Sequence, residues 1–382
     1  MIILLIVSCS IFLLFFIIWI IFILHWNKTE VFRCPVEYIP STKVSILLPV
    51  RNEASNILDC LESLVKQNYP AELLEIIVVD DQSYDETPDI LEHFSHPLVK
   101  SMRLGVERRT TIEGSKKKAI AYGVSHAKGE LIITTDGDCN LPINWVRNIT
   151  AFYRKTNAKL IVGPVILKKS MGWFESFQNL DMMSTFLVQT AGISSRLFYL
   201  CSGANLAYEK EAFLQANPYE SNMHVSSGDD VFLIQKFKQL YKDQIKVCKS
   251  KDIICHTNAA TTISEFMSQR LRWSGKMKKV SNFSSLFIAS LLWLLKILPY
   301  VVLAISICTK NMQGILVASS ILLMSFILDF ILLYLATGFF KQRKKLWWFL
   351  PAEFIYTIYY ILLGILSWFP LSLEWKDRKI SV

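Results

Sequence analysis

Glu130-Leu-Ile-Ile-Thr-Thr-Asp-Gly-Asp138 decides how this chain is read. A short apolar run ends directly on two carboxylates one residue apart, and such a run reads as a buried strand over Glu130–Thr135. Upstream the pattern occurs twice more. Val44-Ser-Ile-Leu-Leu48 is closed by Pro49, and Leu73–Val79 ends at Asp80-Asp81. Helical patterns separate these runs. One extends from Glu53 to Lys66, with Ile57, Leu58, Leu61, Leu64 and Val65 on one side; others cover about 86–94 and Lys116–Ala127, and 98–104 reads as extended. Strands alternating with helices predict an α/β domain whose largely parallel sheet is covered on both faces. Ligands bind such sheets outside the carboxyl ends of the strands. Pro49–Glu53, Asp80–Ser83 and Asp136–Asp138 all fall at those ends, so the chemistry is expected there.

Beyond residue 155 the pattern weakens. It supports a strand near 159–166 and helices near 172–190, 208–215 and 228–240, with Ser264–Trp273 as a helix running toward a membrane. The chain has no internal repeat and no low-complexity linker.

At 52% hydrophobic and 19% charged, the 382 residues are too apolar for an ordinary soluble protein. Residues 2–24 carry no charge and are long enough to span a bilayer. The run starts without a basic stretch and continues into Trp26, which favours a retained anchor over 1–25 against a cleaved signal peptide. Three more apolar stretches occupy about 283–309, 313–340 and 346–372. They contain Lys296, Pro299 and Asp329. Such charges either line a path for a lipid or growing product, or are satisfied between packed helices. Trp347, Trp348, Tyr356, Tyr359, Tyr360 and Trp368 fit aromatic belts at the interfaces.

The net charge of +9 is explained by membrane orientation, because Lys276, Lys278 and Lys279 abut the second span and Lys341, Arg343, Lys344 and Lys345 separate the third from the fourth. Basic span ends mark the cytoplasmic side, which places residues 26–282 in the cytoplasm of a multi-pass protein of the cell membrane. A fourth crossing would put the tail, 373–382, outside. Its own Lys376, Arg378 and Lys379 oppose that, so either the fourth segment is re-entrant or one segment lies in the interface. No basic aromatic stripe lies outside the membrane flanks, so nucleic acid is not an expected partner. The eight cysteines form no Cys-x-x-Cys pair and no zinc spacing, and fit reduced thiols.

Three polar elements could carry chemistry. Asp136 and Asp138 can jointly approach a hard divalent cation, or simply form a solvated turn. Asp229 and Asp230 open a helix after Ser226-Ser227-Gly228, where they either complement the helix dipole or supply a general base. In Gln269-Arg-Leu-Arg272-Trp273, Gln269 and Trp273 share a helix face. Arg272 can grip a diphosphate and Trp273 can stack on a sugar, although an amphipathic juxtamembrane helix has the same composition.

Together these elements resemble glycosyltransferase family 2, in the membrane-bound branch that includes cellulose, chitin and hyaluronan synthases. The matching pieces are Val44–Glu53 (VSILLPVRNE), Ile77–Asp85 (IVVDDQSYD), Lys116–Gly123 (KKKAIAYG), Thr134–Asp138 (TTDGD), Ser202–Tyr208 (SGANLAY), Gly228–Leu233 (GDDVFL) and Gln269–Trp273 (QRLRW). They span about residues 42–275, in the family's order. The resemblance implies a GT-A nucleotide-sugar-binding fold, a UDP-sugar donor and inversion at the anomeric carbon. It further implies that Asp81 contacts the base, with Pro49, Asn52 and Glu53 lining the same pocket. Lys116 would lie near the nucleotide or diphosphate, and Asp136 and Asp138 would hold the diphosphate through Mg²⁺ or Mn²⁺. Ser202, Gly203 and Asn205 would border the acceptor, with Asp229, Gln269 and Trp273 nearby. Asp230 would be the base and Arg272 the neutraliser of the leaving group. In the family's motif a glutamate precedes the base; here Asp229 stands in its place.

The expected activity is transfer of a sugar to a hydroxyl of a lipid or membrane-proximal glycan. The Gln-x-x-Arg-Trp motif leans toward processive synthesis, and the small number of spans toward single transfer. A polyprenyl-phosphate glycosyltransferase is the nearest alternative among enzymes, and a catalytically dead membrane scaffold the alternative outside them.

Overall fold

The computed structural model describes residues 2–105, 115–168, 172–223, 228–278, 283–366, 369, 372–376 and 378–381. Ser226, Ser227, Lys279 and Trp368 lie outside the described residues.

After helix α1 (Ile2–Lys28), the chain alternates strand and helix as the sequence predicts: β1 (Val44–Val50), α2 (Ile57–Val65), β2 (Leu74–Asp80), α3 (Thr87–His93), β3 (Val99–Arg103), α4 (Lys116–His126), β4 (Leu131–Thr134) and α5 (Trp145–Thr156). Then follow β5 (Leu160–Val162), β6 (Val165–Leu167), α6 (Trp173–Ser195), β7 (Leu206–Glu209), α7 (Lys210–Ala216), α8 (Asp229–Tyr241), β8 (Ile245–Val247), β9 (Cys255–Thr257) and α9 (Ile263–Lys278). The main sheet runs β3-β2-β1-β4-β7-β5-β8. β3, β2, β1 and β4 are parallel, while β7 is antiparallel to both its neighbours.

Register fixes where the strands stop. Val50 pairs with Asp80 and Leu47 with Thr134, so Arg51, Asp81 and Thr135 emerge along one edge. β1 is buried at all seven positions. Its Leu47 packs toward α4 and α6, while Ile46 and Leu48 pack toward α2 and α5. Apolar side chains on both faces are what a strand needs when helices cover the sheet on both sides. Two local readings are corrected. α2 starts only at Ile57, and Leu58 is 46% exposed while Cys60 takes the inner position. The run near 159–166 is two strands, β5 in the main sheet and β6 paired with β9 in a separate one.

α6 joins the domain to the apolar helices. It is buried over most of its length and packs on α1, where Trp26 meets Phe186 edge-on. Helices α10 (Phe283–Cys308), α11 (Met312–Phe339) and α12 (Phe349–Leu366) follow, then a hairpin of β10 (Ser372–Trp375) and β11 (Arg378–Ser381). Among the described residues, four helical segments are long and apolar enough to cross a membrane.

The charges inside them are paired. Lys296 Nζ lies 2.7 Å from Asp329 Oδ2 and 2.6 Å from Glu353 Oε1, and Trp19 Nε1 donates to Asp329 Oδ1 at 3.1 Å. This arrangement is the packed-helix alternative, not a charge-lined path. Both ends of the fourth segment touch the α/β domain. Before it, Gln342 Oε1 accepts from Asn179 of α6; beyond it, Lys376 bonds Glu53. The hairpin's Lys376 is thus docked on the α/β domain.

Candidate active site

The site is assembled where β1, β2 and β4 end. Its centre is Lys116, at the start of α4, whose Nζ lies 2.5 Å from Asp136 Oδ1 and 3.3 Å from Asp229 Oδ2. Ser115 caps that helix, its hydroxyl accepting from Lys118 N, and so fixes where Lys116 begins its reach. Burial works against the ammonium, but Asp136 and Asp229 outweigh it and hold Lys116 above the ordinary lysine range.

Two glycines let this cluster close. Gly228 has φ +97°, the left-handed region that side chains avoid, and turns the chain into α8. A Cβ on Gly203 would sit 2.9 Å from Asp229 Oδ2 and 3.1 Å from Lys116 Nζ, so a larger residue there would displace the ion pair. Asp229 is buried, and Asp230 is half-buried beside it. Arg272 faces the same group from α9. Burial pulls its guanidinium down, and the carboxylates of Asp229, Asp230 and Asp136 act in the opposite direction.

Asp138 accepts from the Thr257 hydroxyl at 2.7 Å. It also stands close enough to Glu53 to reinforce the effect of burial, which raises the Glu53 carboxyl; Lys376 opposes that rise. Five carboxylates, from Glu53, Asp136, Asp138, Asp229 and Asp230, thus share the region with the cations of Lys116, Arg272 and Lys376. Among the described residues no cluster of three or more His, Cys, Asp or Glu side chains is arranged to hold a metal alone. Two hard oxygen donors amid surplus negative charge do fit Mg²⁺ or Mn²⁺, which commonly binds one or two carboxylates and completes its shell with substrate phosphates.

The wall around β1 and β2 is backbone-rich. Asn52 has φ +48°; its N–H donates to Ser83 Oγ at 2.9 Å and its Oδ1 accepts from Tyr84 N at 3.2 Å. Glu53 N donates to Thr87 Oγ1 at 2.8 Å. Asp81 is buried, and Pro49 is enclosed within β1. Arg51 ties the wall together, with Nη1 donating to the carbonyls of Asp81 and Gln82 at 2.7 and 2.8 Å and Nε to the Lys376 carbonyl at 3.2 Å. β10 lies against α9, so the hairpin touches both the β1 wall and the Arg272 helix.

The structure brings together Lys116, Asp136, Gly203, Asp229, Asp230 and Arg272, with Glu53 and Asp138 adjacent. Ser202 is half-buried and precedes Gly203. Asn205 is 1% exposed, and its amide serves Trp145 Nε1, the Pro164 carbonyl and the Ile253 carbonyl, so its side chain braces the core behind Gly203. Gln269 and Trp273 are half-buried on α9, with the Arg270 guanidinium 4.3 Å from the Trp273 ring. Sequence reasoning missed Thr257, Asp181, Arg270 and the docked Lys376. Arg270 lay inside a quoted motif; nothing in a lone Thr257 or in a basic tail signals a contact across more than a hundred residues.

Comparison with known proteins places this geometry. The sequence matches Glycosyl transferase family 2 over residues 45–214 and Glycosyl transferase family group 2 over residues 131–371. It is 28% identical to "Glycosyltransferase AglE" of Haloferax volcanii, over 49% of this chain and 59% of that protein. It is 22% identical to "Hyaluronan synthase" of Streptococcus pyogenes serotype M1, over 88% of this chain and 83% of the other. The chain thus spans less than two thirds of the length of the first relative. The mannosyltransferase PcManGT of Pyrobaculum calidifontis, solved with GDP-Man and Mn²⁺, shares the fold with a TM-score of 0.57 over 96% of this chain and 97% of its own, at 17% identity. With a family match running through more than half of its length, from the Asp136 strand past the last long helix, the chain belongs to glycosyl transferase family 2.

Proposed function

We propose that this chain transfers a sugar, with inversion, from a UDP-sugar to a hydroxyl of a lipid or membrane-proximal glycan. The observation that carries the reading is the cluster of Lys116, Asp136, Asp229, Asp230 and Arg272 at the strand ends, on a domain packed directly against apolar helices. Asp81 and the β1 wall of Pro49, Asn52 and Glu53 are the seat for the nucleotide. Asp136 and Asp138 would hold Mg²⁺ or Mn²⁺, which when bound supplies positive charge to the donor diphosphate.

The protein's own groups divide the remaining work. The acceptor oxygen bonds to the anomeric carbon as the bond to the diphosphate breaks. Asp230 takes the acceptor's proton, acting as the carboxylate. Arg272 and Lys116 face the diphosphate as its charge develops, in a half-buried site where such pairing is stronger than in water. Asp229 holds Lys116 in place. Ser202, Gly203, Gln269 and Trp273 border the acceptor. One displacement with one base gives inversion.

The domain faces the cytoplasm, with α1, α10 and α11 crossing the bilayer. The segment containing α12 does not traverse, because both its ends meet one domain; it either re-enters or lies in the interface. The test is a panel of UDP-sugars, with GDP-mannose as comparator, offered to membranes containing the protein with and without EDTA. Lipid and polymer fractions are analysed separately. Transfer from a UDP-sugar that EDTA abolishes is expected. Transfer from GDP-mannose alone would overturn the donor assignment, and undiminished transfer in EDTA the metal.

A further inference from the structure

The end of α11 forms a basic elbow with a cavity in it. The cavity measures about 660 Å³ and is lined by Gly338, Lys341, Gln342, Arg343, Lys344 and Lys345. Four of these six carry positive charge and none is a carboxylate. Among the described residues no carboxylate pairs with Lys341, Arg343 or Lys344. Glu175 of α6 stands within electrostatic reach of Lys345.

The elbow is held in shape. Lys341 has φ +56°, a conformation that costs a non-glycine residue about 1 kcal/mol and persists only where its surroundings impose it. Gln342 N donates to the Thr337 carbonyl at 2.8 Å, and its side chain is bonded to Asn179 of α6. The Arg343 guanidinium lies 4.3 Å from the centre of the Tyr334 ring. It also lies against Gly338, where a Cβ would come within 3.3 Å of Arg343 Nη2. The guanidinium is thus placed before any ligand arrives, and its planar fork matches phosphate oxygens.

The residues that follow are apolar and exposed. Trp347 is 89%, Leu350 66% and Phe354 76% exposed, on a segment hydrophobic enough to enter a membrane. A pocket of cations edged by exposed apolar side chains suits a ligand with an anionic head and an apolar body, and basic pockets at the ends of membrane helices recognise such headgroups. We propose that this elbow binds the phosphate of an anionic membrane lipid, at a site separate from the nucleotide wall. The same phosphate chemistry could come from a free ion; the exposed Trp347, Leu350 and Phe354 favour the lipid.

The full chain, reconstituted in phosphatidylcholine with a minor fraction of phosphatidylglycerol and re-extracted, is assayed for co-purifying lipid. The wild-type chain is expected to retain phosphatidylglycerol selectively. Arg343→Gln combined with Lys344→Gln should lower that retention by about fivefold for each cation removed. Gly338→Leu should also lower it, by filling the pocket while keeping every cation. Lys310→Gln, at the opposite end of α11, should leave it unchanged. UDP affinity on the same samples verifies that the variants are folded. Equal retention by wild type and the double variant overturns the proposal, as does full retention by Gly338→Leu. Displacement by inorganic phosphate at concentrations comparable with the lipid's would overturn the lipid as the ligand.

Discussion

The Asp181 carboxylate and the Arg270 guanidinium meet at 2.5 Å, with side chains 7% and 6% exposed. Asp181 sits on α6 and Arg270 on α9, two positions before Arg272. Burial pushes the Asp181 carboxyl up, and Arg270 draws it back down. Arg270 also lies 4.8 Å from the Phe266 ring and 4.3 Å from that of Trp273. The helix that presents Arg272 to the site is therefore fixed by a sealed ion pair.

Breaking that pair from one side leaves a buried charge without its partner, which costs about 3–5 kcal/mol. Asp181→Asn is expected to lower the thermal midpoint of the detergent-solubilised protein and to reduce kcat more than UDP affinity. Arg270→Lys should not rescue, since an ammonium cannot stack on Phe266 and Trp273 as a planar guanidinium does. Normal kcat in both variants would show that α9 is positioned by other contacts.

Asp229 and Asp230 should separate by phenotype. Asp230→Asn is expected to keep UDP and metal affinity while transfer drops by about 10²–10⁴-fold, the usual contribution of a positioned base. Asp229→Asn removes a partner of Lys116 and should act mainly on stability and donor affinity. Transfer and UDP binding, measured side by side, distinguish them. A fully active Asp230→Asn would move the base elsewhere.

The docked tail makes a topological prediction. Cysteines introduced at Gln342 and Lys376 should both resist membrane-impermeant reagents applied outside sealed cells, and both should react after permeabilisation. Paired cysteines replacing Glu53 and Lys376 should cross-link on mild oxidation. External labelling at 376 would show that the α12 segment traverses.

Asp85 offers a test in acid. Burial opposes its charge, but bonds from the Thr87 hydroxyl and the N–H groups of Thr87 and Ala54 outweigh it and hold the carboxyl below the usual aspartate value. Its contribution is therefore complete above pH about 4 and is lost as pH falls through the lower folded value. Asp85→Asn should destabilise by about 1 kcal/mol at neutral pH, with the gap to wild type closing in acid. Denaturation curves at pH 7 and pH 3 measure it; a gap of equal size at both would exclude the charge as its source.

Much of the N-terminal half was legible in the sequence because its strands are buried on both faces and end on polar residues, as β1, β2 and β4 do. That pattern also marked the edge where Asp81 and Asp136 stand. The antiparallel β7 was not legible: Leu206–Glu209 has only four residues, and its pairing with β4 and β5 is a tertiary choice. Nor was the role of Asn205, since an amide two residues after a glycine reads equally well as a ligand contact or as a core brace. The Lys376–Glu53 contact joins residues whose separation no local pattern spans.

The buried grouping of Lys296, Asp329 and Glu353 bears on how the protein reaches its membrane. An isolated Lys or Asp at mid-bilayer costs roughly 3 kcal/mol on insertion scales. α10 and α11 each carry one such residue, and each residue neutralises the other only when the two helices lie side by side. Insertion should therefore favour the helical pair as one unit, with α10 waiting at the translocation machinery until α11 has been made. Glu353 then arrives at a lysine already in place, so the segment containing α12 joins last.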